Sequence, residues 1–125
     1  MPLTRSQIRN KIYNLEAQKN NYVKERDKYK TSLTHANKLL RSLSNSNVNL
    51  SSSKEYLGKY FNINGKTPDN GKLDASRNEL SKMANKVSGT IIPKINNEIS
   101  RLDRNINNLQ YQINSLWRDY NNAKE

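Results

Sequence analysis

The sequence predicts an all-α protein, an elongated antiparallel helical hairpin of coiled-coil type with a short helix and an irregular loop between two long arms. Three observations predict it. From Ile92 to Tyr120 apolar residues recur alternately three and four apart, and a second series of the same period runs from Ile8 to Leu43. Between them, residues 62–72 hold Asn64-Gly65, Pro68 and Asn70-Gly71, the densest cluster of turn residues in the chain. At 125 residues, 33% hydrophobic and a mean hydropathy of -1.06, the chain allows one domain, residues 1–125, with a narrow core.

Thr4 and Gln7 have the spacing of a capping box, in which each side chain satisfies a backbone N–H of the other, so the first helix is expected over about 4–44. Its seam reads Ile8, Ile12, Leu15, Lys19, Tyr22, Arg26, Tyr29, Leu33, Ala36, Leu40, Leu43. At 1.5 Å per residue such a helix is ~60 Å long, and it needs a partner of similar length. Lys19 and Arg26 occupy core positions and alternate with Tyr22 and Tyr29. Two readings follow: aliphatic stems lying along the seam with polar heads that fix register, or a basic and aromatic stripe for nucleic acid.

Ser44 to Ser53 is Ser/Asn-rich, with Val48 and Leu50 to bury, and is expected to turn the chain. Ser52 and Glu55 repeat the capping-box spacing, predicting a short helix that presents Tyr56, Leu57, Tyr60 and Phe61, so that turn and short helix fill 45–61. An irregular loop is expected over 62–73. Asp74, or Ser76 with Glu79, then starts a long helix over about 74–122. Its first stripe, Leu80, Met83, Ala84, Val87 and Ile91, is one residue out of phase with the later seam. Gly89 and Pro93 sit at the slip, which predicts a kink near 89–93 or a clean break there, with the glycine easing it. Beyond it, Ile99, Leu102, Ile106, Leu109, Ile113 and Leu116 are the expected structural core, and Leu109→Asp or Ile106→Asp is expected to unfold the protein.

The formal charge of +11 asks for an acidic partner. Little in the chain supports catalysis. There is no cysteine and one histidine, His35, beside the seam, so neither thiol chemistry nor a zinc site is expected. Glu16, Glu25, Asp27, Glu98 and Asp103 are scattered among basic neighbours as ordinary helix-surface acids. No phosphate-binding glycine loop is recognisable; Asn64-Gly65-Lys66 and Asn70-Gly71-Lys72 read as short turns. The expectation is therefore a protein that is not an enzyme and uses no cofactor or metal. Met1 to Asn10 contains no apolar run of signal-peptide type, and nothing is long enough to span a bilayer, so a chain made in the cytoplasm as a soluble protein is expected.

Tyr56-Leu57-Gly58, the Asn64-Gly65-Lys66 and Asp69-Asn70-Gly71-Lys72 turns, and Ile91-Ile92-Pro93-x-Ile95 leading into an Ile/Leu heptad resemble a small helical family from low-GC Gram-positive bacteria. That family is similar to the WXG superfamily and accompanies LXG-domain toxins of the type VII secretion system. The resemblance implies a targeting partner or chaperone that pairs side by side with the helical N-terminal domain of a toxin, with a second small helical accessory protein as a further partner, and export together through type VII secretion. The superfamily's Trp-x-Gly turn is replaced here by Tyr56-Leu57-Gly58. Its export signal, an aromatic followed four residues later by an acid, meets Lys124 after Tyr120, with Glu125 one position on. A partner, or a composite across the pair, is then expected to carry that signal.

Lys19, Tyr22, Arg26, Tyr29, Tyr111, Trp117 and Tyr120 are the expected partner-binding residues, Tyr111 and Trp117 because they lie off the core positions of the C-terminal arm, whose seam ends at Tyr120. Because the facing arm is apolar from Ile95 to Leu116, the hairpin is expected to open or rotate at its middle and send Lys19 and Arg26 outward to acids on the partner. Lys19→Glu with Arg26→Glu is then expected to keep helicity and weaken the complex. Two alternatives stand beside this: nucleic-acid binding through Lys19, Tyr22, Arg26 and Tyr29 with Lys11, Lys24, Lys28 and Lys30, and a homodimeric coiled coil.

Overall fold

The helix-capping signal at the start of the chain is realised as the spacing predicts. Thr4 N–H donates to Gln7 Oε1 at 3.0 Å, and Gln7 N–H donates to Thr4 Oγ1 at 3.2 Å. The computed structural model describes residues 2–60 and 71–123, and among them there is no strand. Helix α1 is Arg5–Tyr60 and helix α2 is Gly71–Lys86; a π turn, Val87–Ile91, leads into α3, Ile92–Asn122. Apart from residues 2–4 and 123 the described residues are thus helical, as the periodicity requires.

Helix α1 corrects the expected boundary at residue 44. Neither the turn over Ser44–Ser53 nor a separate short helix exists, and α1 runs through both. The seam simply continues, at the same spacing, as Leu43, Asn47, Leu50, Lys54 and Leu57, all of them half-buried. Ser and Asn are weak helix formers rather than breakers, costing a few tenths of a kcal/mol each. Tertiary contacts of the Asn47 and Lys54 side chains offset that cost, while Val48, off the seam, is 62% exposed. Ser52 therefore caps nothing, and Ser53 Oγ donates to the carbonyl of Asn49 within the helix. Tyr56-Leu57-Gly58 is helical rather than a turn. Most of the expected loop, residues 62–70, lies outside the described residues. Gly71, Lys72 and Leu73 are already helical, so Asp74, Ser76 and Glu79 stand inside α2 and act as no cap.

The expected kink near 89–93 takes the form of a single π turn. Ile92 N–H donates to the carbonyl of Val87, five residues back. Pro93 has no N–H for the carbonyl of Gly89 and its ring crowds that oxygen, so the ladder cannot run through here unchanged. A π turn inserts one residue into the helix, which is the phase slip read in the sequence. Val87 is buried and Ile92 half-buried, while Ile91, the next position of the earlier stripe, turns outward. Gly89 is not what permits this: a Cβ added there would meet open space, and its φ is not left-handed.

Two compact units form, Met1–Ser32 with Ile95–Glu125, and Leu33–Lys94. In the first, the N-terminal part of α1 runs antiparallel to α3, since contacts of Arg5, Arg9, Lys19 and Arg26 fall on Ala123, Tyr120, Gln110 and Asp103 in descending order. Ile8, Ile12 and Ile113 make its buried cluster, with Leu3, Leu15, Leu116, Tyr120 and Ala123 packed against it. Leu102, Ile106 and Leu109 are also buried and Ile99 half-buried, so all six expected core residues of α3 face inward. In the second unit, Ala36 and Val87 are buried. There α1 and α2 also run antiparallel, Asn47 bonding Arg77 and Ser81, and Lys54 bonding Asp74.

Candidate partner-binding surface

The polar residues of the α1 seam determine which surface is left for a partner. Lys19, Arg26, Asn47 and Lys54 hold equivalent heptad positions, and each meets a polar side chain of the facing helix. Lys19 Nζ donates to Gln110 Oε1, and Arg26 Nη1 donates to Asp103 Oδ1 at 3.0 Å. In the second unit, Asn47 Nδ2 donates to Ser81 Oγ at 3.0 Å and Asn47 Oδ1 accepts from Arg77 Nε at 3.1 Å, while Lys54 Nζ is 2.8 Å from Asp74 Oδ1. Within each unit the two rungs lie seven residues apart on α1, the spacing at which a helix presents one face of a seam.

This corrects the expectation that Lys19 and Arg26 turn outward. Asp103 and Gln110 each follow a core leucine by one residue, at the edge of the α3 seam, where an oxygen meets a cation whose stem lies in the seam. The two helices therefore need no opening to accommodate the charges. Arg26 Nε is buried without a hydrogen bond, but the Asp27 carboxylate stands 3.7 Å away. Tyr22 and Tyr29 are half-buried beside these rungs, so the four residues do not form an open stripe. A further ion pair crosses the unit at its edge. Arg101 donates through Nε and Nη2 to Glu98 Oε2, and Nη2 lies 3.7 Å from Glu25 Oε1. The hydrogen bond to Glu98 is the main cause that raises the Arg101 pKa above its ordinary value.

The other expected partner-binding residues lie elsewhere on the first unit. Trp117 and Tyr120 meet edge to face, with ring centroids 5.3 Å apart. The guanidinium of Arg5 lies 5.3 Å from the centre of the Tyr120 ring and that of Arg9 5.5 Å, and Arg9 Nη2 donates to Tyr120 Oη at 2.6 Å. Arg5 Nε also donates to the carbonyl of Ala123. Tyr120 is thus half-buried and held by two arginines, whereas Trp117 stays 40% exposed. Tyr111 is more exposed still and lines an open groove with Lys11, Leu15 and Leu116. Tyr13, which sequence reasoning missed, is 57% exposed. Its position four residues after Arg9, on the same helix face, was the available signal.

Among the described residues no group of His, Cys, Asp or Glu is arranged to hold a metal ion, and no helix is long and apolar enough to cross a membrane. No protein family, curated protein or solved structure matches the chain.

Proposed function

We propose that this all-helical chain is an interaction protein that binds the helical N-terminal domain of an LXG-type toxin as its targeting partner or chaperone in type VII secretion. The observation that carries the interaction role is the cluster of Trp117, Tyr120, Arg5 and Arg9, with Trp117 left partly open. Tryptophan, tyrosine and arginine are the residues most enriched where protein partners bind. An excess of positive charge, eight Lys/Arg against three Asp/Glu in residues 1–32, favours an acidic partner. The identity of that partner rests on the sequence resemblance in Ile91-Ile92-Pro93-x-Ile95 with its heptad. The proposal assigns the chain no catalytic activity and no cofactor, and has it leave the cytoplasm with its partner.

Co-expression with an LXG-domain toxin tests the reading. The two are expected to co-purify as a stable complex. If this chain is fully helical alone and the LXG protein never co-purifies with it, the partner assignment is wrong.

A further inference from the structure

The first unit has two lateral sides, and they differ in chemistry. On one, Trp117 stands one heptad beyond Gln110 and two beyond Asp103, so it shares the α3 face that meets Lys19 and Arg26. Arg9 and Tyr13, four apart on α1, belong to the same side, since Arg9 contacts the Tyr120 ring against which Trp117 packs. Outside Trp117 on α3, Asn107, Asn114 and Asn121 follow at heptad spacing, all exposed. There is no lysine between residues 95 and 123.

That composition discriminates between partners. A surface for nucleic acid carries lysine and arginine along its length and aromatic faces as stacking platforms. Here the aromatic rings stand edge to face and the α3 flank is asparagine, while Arg5 and Arg9 are held against the Tyr120 ring and the next cation at the heptad position of Arg9, Lys30, is three heptads away. Protein interfaces have this character, with Trp, Tyr and Arg anchors, few lysines and an uncharged polar rim. The other lateral side carries Glu25, Glu98 and Arg101, whose charges pair with one another, and the groove of Tyr111 with Lys11, whose lining holds neither tryptophan nor arginine.

The geometry points to one occupant: an amphipathic α-helix of another protein, laid along the Tyr13–Trp117 side, with an apolar stripe over those two rings and a carboxylate toward Arg5 and Arg9. Glu16, one heptad and so two turns after Arg9, makes that level of α1 acidic, so the partner helix carries its acid at the Arg9 end and a neutral or basic residue beside Glu16. This docking side deepens the proposed function and rests on it for the partner's identity, though not for its chemistry.

Trp117 is the only tryptophan, so its emission reports this side alone. The full chain is titrated with a helical peptide bearing a leucine stripe flanked by glutamates, with the same peptide carrying lysines instead, and with single-stranded oligo-dT. The acidic peptide is expected to shift Trp117 emission to the blue and shield it from acrylamide. Tyr13→Ser and Arg9→Glu, checked for unchanged helicity, are each expected to weaken binding about tenfold. Binding of the acidic peptide without any change at Trp117, equal binding of the lysine peptide, or a response to oligo-dT alone would each overturn the proposal. If the toxin domain fails to co-purify while the acidic peptide behaves as described, the partner assignment fails and the docking side stands. If the toxin domain binds with Trp117 unperturbed, the docking side fails instead.

Discussion

Removing the Asp103 carboxylate by Asp103→Ala takes the acceptor from Arg26 and leaves a guanidinium whose side chain is only 24% exposed with Asp27 as its nearest acid. A charged hydrogen bond of this kind contributes about 1.5–3 kcal/mol when desolvated. Because the Asp103 side chain is 44% exposed, water screens the pair, and the expected loss is about 1 kcal/mol. That corresponds to a fall in melting temperature of about 3–5 °C for a domain of this size. Arg26→Leu is expected to behave differently, because it removes the half-buried cation together with its need for a partner; its stability should match or exceed the parent's. Urea unfolding followed by circular dichroism measures both, and a double-mutant cycle isolates the coupling. A coupling energy of zero, or an Arg26→Leu variant less stable than Asp103→Ala, would refute the idea that this rung is closed within the unit. The same geometry revises the expectation for Lys19→Glu with Arg26→Glu. A carboxylate at position 26 would face Asp103 and Asp27, so the doubly reversed chain should lose stability before any effect on a complex is read.

Leu102 is fully buried, and Leu102→Ala should cost about 2–5 kcal/mol, read as a lower denaturation midpoint at unchanged slope. Gly89→Ala, inside the π turn, meets open space at a φ that is not left-handed, so it should stabilise by about 0.5–1 kcal/mol; destabilisation would mean that the π turn needs glycine. Thr4→Ala removes the Oγ1 acceptor from Gln7 N–H and should cost about 1 kcal/mol, with amide exchange rising in the first turn of α1 alone. Val48→Lys, at an exposed position of α1, should change stability by less than about 0.5 kcal/mol, whereas a turn over Ser44–Ser53 that buried Val48 would make it costly.

The features legible in the sequence are those decided by near neighbours or by an unbroken apolar period. Thr4 and Gln7 close their box within three residues, and the inward face of α3 needs only Ile and Leu at heptad spacing. The phase slip at Val87–Ile92 was visible too, and a π turn is its physical form. Ser44–Ser53 misled because Asn47 and Lys54 hide the seam from an apolar count. Their partners, Ser81, Arg77 and Asp74, are distant in sequence, and local propensity cannot register them. Asp103 reads as an ordinary surface acid, and Gln110 as nothing at all, for a related reason. Each stands one residue off the α3 seam, so a reading of core positions sees an apolar wall where the structure offers oxygen atoms. Ser52 with Glu55 and Ser76 with Glu79 show the converse: a capping-box spacing inside a helix whose packing continues on both sides caps nothing. Of the candidate surface, Trp117 and Tyr111 were recognisable as aromatics off the core, while the joining of Tyr120 to Arg5 and Arg9 depends on the antiparallel pairing of residues more than a hundred positions apart.

The seam of the first unit is closed by its own chain, which leaves the Tyr13–Trp117 side for a partner. The chain has no cysteine, so Lys19→Cys with Gln110→Cys gives two unique thiols at positions that face one another. A short bismaleimide added to the dilute protein should link them within one molecule, giving a faster-migrating monomer whose yield does not change with protein concentration. Crosslinked dimers whose yield rises with concentration, with no closed monomer, would contradict the account and return the chain to a homodimeric coiled coil.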